Sequence, residues 1–371
     1  MSSPNQLSSA RVKARAVELG FDLCGIAPAG DVDTLQQLAR WLGRGFGGRM
    51  TYLNRTARVR ADVRRWLPSA RAVVVVANIY NTRHPHHVEL ADAGRARIAR
   101  YAWGDDYHDV MGRRLGSLAG WMRGAAGPGF DAKWCVDDGP VQEKVYAWLA
   151  GIGWIGKNTC VINPGVGSWL LLGVLACNAG LEPDAPATDQ CGTCELCLDS
   201  CPAGAFVEPY LLDARRCLSY LTIEIRGAIP DGQRPGLGSH VFGCDICQDV
   251  CPHNALAPVA GDVCWQPKAA LRDATLRSLW DMDDAALERA IEGTALRRAG
   301  VRGLRRNLAV AIGNAGPTLA GLLAPRKAPG TVAPEHGARD RAPGALPDGE
   351  RPSLDDPIVA EHIDWGSSRA R

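Results

Sequence analysis

The amino-acid sequence predicts an α/β domain, then a small cysteine-rich domain, then an α-helical C-terminal segment. Three observations carry this prediction. Helical and strand-like patterns alternate up to about residue 182, cysteines crowd into residues 191–251, and residues 269–312 have helical patterns throughout. The Pro-rich stretch 183–188 (PDAPAT) is typical of a linker. We therefore expect three domains, at residues 1–182, 183–258 and 259–371.

The elements of the first domain follow from local patterns. Ser8–Gly20 predicts an amphipathic helix capped by Ser8 or Ser9, and Ala72–Tyr80, which is apolar and β-branched, predicts a buried strand. The other predicted elements are a strand at Phe21–Ala27, a helix at Asp33–Leu42, helical periodicity at Arg97–Arg123, a strand at Ala132–Val136, a helix from Pro140 to Ala150, and a strand pair at Cys160–Asn163 and Trp169–Ala176.

Cysteine spacing predicts two [4Fe–4S] clusters and a ferredoxin-like second domain. Residues 191–202 form C-x2-C-x2-C-x3-C-P, residues 244–252 form C-x2-C-x3-C-P, and Cys217 stands between the two runs. In two-cluster ferredoxins the fourth cysteine of each run binds the other cluster. Zinc fits this pattern poorly, because zinc sites typically use two paired C-x2-C units. The predicted ligand sets are Cys191, Cys194, Cys197 and Cys251 for the first cluster and Cys201, Cys217, Cys244 and Cys247 for the second.

The cysteine count also bears on the cellular compartment. The chain has 13 cysteines, and its first 20 residues are polar and amphipathic, unlike a signal peptide. No apolar run reaches the roughly 18 residues of a membrane span. We expect a cytoplasmic protein with reduced thiols, which argues against a secreted disulfide scaffold. The five cysteines outside the two sets are expected to be small core residues: Cys24, Cys135, Cys160, Cys177 and Cys264.

The net charge of +2 conceals two basic blocks. Residues 40–71 hold nine Arg and one acid, and residues 295–306 hold five Arg and no acid. Such blocks attract nucleic acid, although a solvated helix face gives the same pattern. Composition alone leaves both interpretations open.

Two further motifs bear on the chemistry of the chain. Gly151–Gly156 matches G-x-G-x-x-G, but it follows a predicted helix and precedes a strand, the reverse of a dinucleotide-binding fingerprint. Asp137 and Asp138 lie between a strand end and a helix start, where an acid usually caps the helix. An acid role for either carboxyl group requires burial against something apolar, which raises its pKa.

Taken together, these features resemble the epoxyqueuosine reductase family, cobalamin-dependent iron–sulfur enzymes that complete queuosine in tRNA. The resemblance covers most of residues 10–315. Beyond the cluster runs, it is carried by Gly48–Arg55, Arg97–Val110, Val136–Lys144, Gly151–Asn158, Asp213–Ile223 and Gly293–Asn314. Reductive dehalogenases share cobalamin and two clusters, but they lack the Arg-rich helical tail.

The resemblance implies a complete redox path. The α/β domain would bind cobalamin, the ferredoxin-like domain would pass electrons to it, and the C-terminal segment would be HEAT-like and bind tRNA. Epoxyqueuosine at the wobble position would become queuosine and water, with Asp137 as proton donor. The implied cobalamin contacts are Arg60, Arg100, Tyr101, Asp137, Lys157, Asn158, Val161 and Ser219. The implied tRNA phosphate contacts are Arg297, Arg298, Arg302, Arg305 and Arg306, with Asn307 as their polar neighbour.

One departure from the family and two alternatives complete the prediction. Pro325–Pro352 is rich in Pro, Gly and charge and predicts a disordered insert, after which Ile358–Ser367 returns as a helix. One alternative is a corrinoid iron–sulfur reductase of a small halogenated or epoxide substrate, and the other is a non-catalytic electron carrier. We expect a monomer that meets an unidentified electron donor and no membrane.

Overall fold

A four-stranded antiparallel sheet organises the first half of the chain in the computed structural model, which describes residues 7–30, 33–323 and 353–369. Its strand order is β1-β2-β7-β4. The strands are β1 (Leu23–Pro28), β2 (Ala72–Ile79), β4 (Ala132–Cys135) and β7 (Leu170–Cys177). All eight residues of β2 are buried, as expected for a strand with both faces covered.

Helices cover the two faces of this sheet. Val74 and Val76 pack on the side of α1 (Ser9–Glu18) and α4 (Tyr107–Ala126), whereas Val73 and Val75 pack on the side of α5 (Glu143–Leu149). The predicted N-cap of α1 is confirmed, because the Ser8 hydroxyl accepts the Arg11 amide at 3.4 Å. The α/β arrangement of this part of the chain is therefore as predicted.

The remaining regular elements are short. The paired minor strands are β3 (Arg97–Ile98) with β10 (His240–Phe242), β5 (Trp154–Ile155) with β6 (Val161–Ile162), and β8 (Phe206–Glu208) with β9 (Leu211–Leu212). The other helices are α2 (Gln37–Gly43), α3 (Thr51–Arg60), α6 (Leu196–Asp199), α7 (Ile246–Asp249), α8 (Ala269–Arg272), α9 (Leu276–Asp281), α10 (Asp284–Ile291), α11 (Gly300–Asn314), α12 (Pro317–Ala320) and α13 (Pro357–Ser368). None of the helices in these described ranges is long and apolar enough to cross a membrane.

Three local predictions are wrong. β6 pairs with β5 and not with β7, because a tight turn at residues 156–160 folds β6 directly back onto β5. The close approach of the two segments requires glycine, since a Cβ at Gly153 would lie 2.4 Å from the Ile162 carbonyl oxygen. Helix α5 begins at Glu143 and not at Pro140. The periodic stretch Arg97–Arg123 is interrupted, and α4 begins only after Asp106, which caps it.

The C-terminal helices share a hydrophobic core with the α4 side of the sheet. Leu276, Leu304 and Leu308 belong to the same buried cluster as Leu115 and Val74. Helix α13, predicted at Ile358–Ser367, is confirmed and lies against α11 at a point where a Cβ on Gly313 would come within 2.5 Å of the Gly366 Cα. The HEAT-like classification and the three domain boundaries stay predictions, and the insert Pro325–Pro352 lies outside the described residues.

Candidate active site

Asp137 occupies a strained loop between β4 and α5. Its φ is +60°, a left-handed conformation that non-glycine residues adopt rarely and often at functional sites. The Tyr107 hydroxyl donates to Asp137 Oδ2 at 2.7 Å, and the Asp137 amide donates to Glu143 Oε1 at 2.8 Å. These two contacts fix both ends of the residue while its side chain remains exposed.

The capping alternative for this loop is wrong. The Asp138 carboxylate accepts the Val136 amide at 3.1 Å, so it bonds backward along the chain and not to α5. The Asp137 carboxylate accepts a hydrogen bond from the Tyr107 hydroxyl, and the N-cap position of α5 is Gln142. Neither carboxylate is therefore used to satisfy the helix amides.

Protonatable groups surround Asp137. Burial, followed by the charge of Asp137, raises the pKa of Glu143 well above its usual value. Burial followed by the same charge raises the pKa of Tyr107. Burial opposes protonation of His108, but the hydrogen bond from its Nδ1 to Asp106, 2.7 Å long, raises the pKa of its imidazole overall. Asp137 thus lies among groups whose pKa values are raised above their usual values.

One face of α3 forms a wall beside this loop. Arg60 Nη1 donates to the Val141 carbonyl at 2.7 Å, which ties α3 to the segment after Asp137. Arg60 Nε donates to the Thr56 hydroxyl at 3.0 Å, and that hydroxyl donates to the Tyr52 carbonyl at 2.8 Å. The spacing of four residues places Tyr52, Thr56 and Arg60 on one helix face. Arg60, predicted to contact cobalamin, therefore lies at the site.

The position of Arg100 does not fit its predicted role as a cobalamin contact. Its side chain is buried, Nη1 donates to the carbonyl and hydroxyl oxygens of Thr82 at 2.9 and 2.7 Å, and its guanidinium lies 4.9 Å from the Trp103 ring centroid. These contacts commit the guanidinium to the protein interior, so we leave it out of the cofactor contacts. The neighbouring Tyr101 is half-buried, and burial, with the charge of Asp137 next, raises its pKa.

Two of the other predicted cobalamin residues border the second cysteine set. Asn158 Nδ2 donates to the Cys247 carbonyl at 3.1 Å. Burial raises the pKa of Cys217, and hydrogen bonds from Ser219 oppose this shift. Lys157 is buried with its Nζ 3.7 Å from Glu195 Oε1, and Val161 is buried in β6.

Three of the eight predicted ligands have electrostatic neighbours from their own predicted sets. Besides burial, the charges of Cys251, Cys191 and Cys194 raise the pKa of Cys197 to about 11. Burial and the charges of Cys217 and Cys201 raise the pKa of Cys244. Cys247 has Cys244 and Cys217 among its charged neighbours, although its main contact is the thiol of Cys160. Each cysteine named here is thus influenced by members of its own predicted set.

The geometry of the described side chains offers no single-ion site. Within the described ranges, no group of three or more His, Cys, Asp or Glu side chains is placed to hold one metal ion. All 13 cysteines are free of disulfides, as ligation requires.

The five arginines of the basic block divide into two groups. Arg297, Arg298 and Arg302 lie before or in the first turn of α11 on the surface, and the Arg302 guanidinium is 49% exposed beside Asp356. Arg305 and Arg306 are buried, each 2% exposed. The prediction that these two contact tRNA phosphates does not fit their position.

The buried pair is satisfied by the protein itself. Arg306 Nη1 donates to the carbonyls of Ile225 and Gly227 at 2.7 and 2.8 Å, and Arg305 Nη1 donates to the Trp280 carbonyl at 2.9 Å. Asn307 is fully buried and bonds the carbonyls of Thr222 and Val241. This cluster clamps the segment 221–227 onto α11, and that segment carries Glu224 close to the site.

Sequence reasoning missed the neighbours of Asp137. Tyr107, Glu143, Tyr52 and Glu224 were assigned no role, although Tyr52, Tyr107 and Glu143 lie inside stretches that carry the family resemblance. A hydroxyl that pairs with a carboxylate 30 residues away leaves no local signal in the sequence.

Comparison with known proteins agrees with this picture. The family model "4Fe-4S double cluster binding domain" matches residues 190–254, and "Epoxyqueuosine reductase QueG, DUF1730" matches residues 60–138. The epoxyqueuosine reductase of Gloeobacter violaceus is 42% identical over 320 residues, 84% of this chain and 98% of that protein. That of Pseudomonas aeruginosa is 42% identical over 325 residues, 86% of this chain and 90% of that protein.

A solved structure extends the comparison to three dimensions. A crystal structure of epoxyqueuosine reductase with a tRNA-Tyr epoxyqueuosine-modified stem loop matches with a TM-score of 0.80 and 25% identity, over 97% of this chain and 89% of that one. The likeness therefore includes the double-cluster segment, the site around Asp137 and the C-terminal helices.

Proposed function

Because the chain belongs to the epoxyqueuosine reductase family, as its sequence predicted, we propose that it reduces epoxyqueuosine to queuosine at the wobble position of tRNA. The reaction adds two electrons and two protons to the epoxide, breaks both of its C–O bonds and releases water. The two [4Fe–4S] clusters of the double-cluster segment would deliver the electrons one at a time. The small-molecule reductase alternative is not favoured by these relatives.

The observation that carries the mechanism is the placement of Asp137. An exposed carboxyl group held in a strained loop, with a phenol on Oδ2 and Glu143 on its amide, can present a proton to a bound epoxide oxygen. A bound cofactor and an anticodon loop would cover this group and exclude water from it. Loss of water raises the pKa of a carboxyl group, which favours the protonated form that an acid needs.

Cobalamin is the proposed cofactor of this site. When bound, it would supply the reducing centre that removes the epoxide oxygen. Arg60 bonds the segment after Asp137, whereas Asn158 bonds the Cys247 backbone and Ser219 acts on Cys217, both in the second cysteine set. These residues and Tyr101 would contact the cofactor between the acid and the second cluster. Arg297, Arg298 and Arg302 would bind tRNA phosphates, which fix the position of the RNA without reading its sequence.

The direct test is an anaerobic assay of the reconstituted enzyme on tRNA that carries epoxyqueuosine. We expect queuosine in the digested tRNA only when cobalamin, intact clusters and a reductant are all present. Unchanged epoxyqueuosine in a sample with both cofactors bound would contradict the proposal. The physiological donor, a monomeric state and a cytoplasmic location, which the 13 free thiols suit, stay predictions.

A further inference from the structure

Arg298 differs from the other exposed arginines because it is fixed beside the site. Its Nε and Nη2 donate to the two carboxylate oxygens of Glu224 at 3.1 and 2.9 Å, a fork that holds the guanidinium plane in one orientation. Glu224 is 19% exposed on its side chain, whereas Arg298 is 52% exposed. The fork uses two of the three guanidinium nitrogens, and among the described residues no side-chain or backbone acceptor is bonded to Nη1, which can contact a ligand.

Tyr52 completes a group of three with this pair. The Arg298 guanidinium lies 6.0 Å from the centroid of the Tyr52 ring, and Tyr52 is half-buried at the start of the α3 face that ends at Arg60. Arg60 in turn bonds the segment that follows Asp137. The charge of Asp137 also acts on both Tyr52 and Arg298, so the two residues lie within electrostatic reach of the acid.

A tRNA base that reacts here has a specific physical problem. It must leave the anticodon stack, which costs a few kcal/mol, and it must then be held in the site. Enzymes that do this stack the extruded base on an aromatic ring and grip the adjacent backbone with a cation. A ring and a fixed guanidinium beside the acid are the two elements that this task requires.

We propose that Tyr52, Arg298 and Glu224 form a nucleotide rim that positions the reacting nucleotide. The Tyr52 ring stacks against the extruded base, Arg298 Nη1 binds the phosphate of the same nucleotide, and Glu224 orients Arg298. All three are positioning residues. This inference rests on the proposed function and adds to it the groups that hold the wobble nucleotide.

Arg302 provides the matched control. It belongs to the same basic block and is similarly exposed, but its Nε pairs with Asp356 at 2.7 Å, away from Glu224. If the rim exists, Arg302 should contribute only general attraction to RNA, whereas Arg298 should also affect the bound state in which the base is extruded. The two arginines should therefore differ in the parameter that they change.

The experiment measures single-turnover reduction and binding of an epoxyqueuosine anticodon stem-loop by the reconstituted holoenzyme. Tyr52→Ala should lower the saturating rate about 10- to 100-fold, the range expected for one lost base–aromatic stack, whereas Tyr52→Phe should stay within about threefold of wild type. Arg298→Ala should lower both affinity and the saturating rate. Arg302→Ala should lower affinity alone.

A second readout does not depend on turnover. A stem-loop with 2-aminopurine at the wobble position reports extrusion of the base as a change in fluorescence on binding. We expect Arg298→Ala to reduce the fluorescence change and Tyr52→Ala to alter it. Arg302→Ala should leave the fluorescence change as in wild type. Tyr52→Leu, which keeps an apolar side chain without a ring, replaces Tyr52→Ala if the latter fails to fold.

The outcomes distinguish a failure of the nucleotide rim from a failure of the proposed function. Saturating rates within twofold of wild type for Tyr52→Ala and Tyr52→Leu, or equal behaviour of the two arginine variants, would overturn the rim. An inactive wild-type holoenzyme with both cofactors bound would overturn the proposed function, and the fluorescence assay would still decide whether these three residues hold an extruded base.

Discussion

The Asp137 loop and the Arg-rich block before and within α11 make an instructive comparison. The family resemblance implied a function for the charged residues of each. In the loop the assigned carboxylate is exposed and its neighbours hold it in place. In the block only Arg297, Arg298 and Arg302 are exposed, and Arg305 and Arg306 lie in the interior.

The difference shows that residue type does not decide the role of a charge. A buried guanidinium is tolerated only when its donors are satisfied, and Arg306 meets the carbonyls of Ile225, Gly227 and Leu221. Such an arginine is part of the fold. An exposed one remains available to a phosphate, so the number of arginines overstates the number of phosphate contacts.

The largest effect is expected from removing Arg306, one of the two buried arginines. Arg306→Ala leaves at least three carbonyls without their donor, and we expect a loss of about 3–5 kcal/mol in the free energy of unfolding. Denaturant unfolding of the cluster-loaded protein measures it, with Arg302→Ala as the surface control. Wild-type stability combined with weakened tRNA binding would return Arg306 to the phosphate contacts.

A smaller effect is expected in the loop. Tyr107→Phe removes the hydroxyl that donates to Asp137 Oδ2 and leaves the ring, so the carboxyl group keeps its place but loses one partner. A hydrogen bond to a charged group contributes roughly 1.5–3 kcal/mol, so the single-turnover rate should fall about tenfold or more. A rate equal to that of wild type would show that the phenol does not position the acid.

The raised pKa of Glu143 predicts that the stability of the protein depends on pH. Burial raises the pKa of its carboxyl group, so between the unfolded and folded pKa values the native state binds more protons than the unfolded state. The stability of the wild type should therefore fall as pH rises through that window, by at most about 1.4 kcal/mol per pH unit. Glu143→Gln keeps the acceptor for the Asp137 amide and should lack this fall.

Thermal or denaturant unfolding from pH 4 to pH 9 tests the Glu143 prediction. The difference between variant and wild type should be constant below the unfolded pKa and should grow in favour of Gln above it. Parallel curves over the whole range would mean that Glu143 titrates normally in the folded protein.

The smallest expected effect concerns Arg302. Its removal should weaken tRNA binding a few-fold and reduce the slope of log affinity against log salt by about 1, with stability unchanged. Fluorescence anisotropy of a labelled stem-loop at several salt concentrations measures both quantities. An unchanged slope would mean that Arg302 does not contact a phosphate, so that only Arg297 and Arg298 of the block would remain as proposed phosphate contacts.

Features of the fold and of the site could be predicted where their signal lies in a short stretch of sequence. The cysteine sets were predicted from the fixed spacings of iron–sulfur ligands, whereas the role of Asp137 came from the family resemblance of its stretch. The positive φ of Asp137 and its bond to Tyr107 were not predictable, because a distant residue supplies the partner. The strand pairing of β6 was missed because the turn after β5 folds β6 back onto β5.

The burial of Arg305 and Arg306 could not be predicted from periodicity. From Leu304 to Gly313 every residue of α11 is buried, whereas an amphipathic pattern predicts one face in water. Carbonyls of the segment 221–227 and of the α9 region reach this helix only after the chain has folded. The signal for such burial lies in the carbonyl partners, which the local sequence does not reveal.

The most direct test compares Asp137→Asn with Asp138→Asn in single-turnover reduction of epoxyqueuosine tRNA. Both variants lose one carboxyl group from the same loop, and both should keep the clusters, cobalamin and tRNA affinity. We predict that Asp137→Asn lowers the rate about 10²- to 10⁴-fold, as expected for a lost general acid, and that Asp138→Asn stays near wild type. Equal rates for the two variants, or a larger loss for Asp138→Asn, would contradict the role of Asp137 as proton donor.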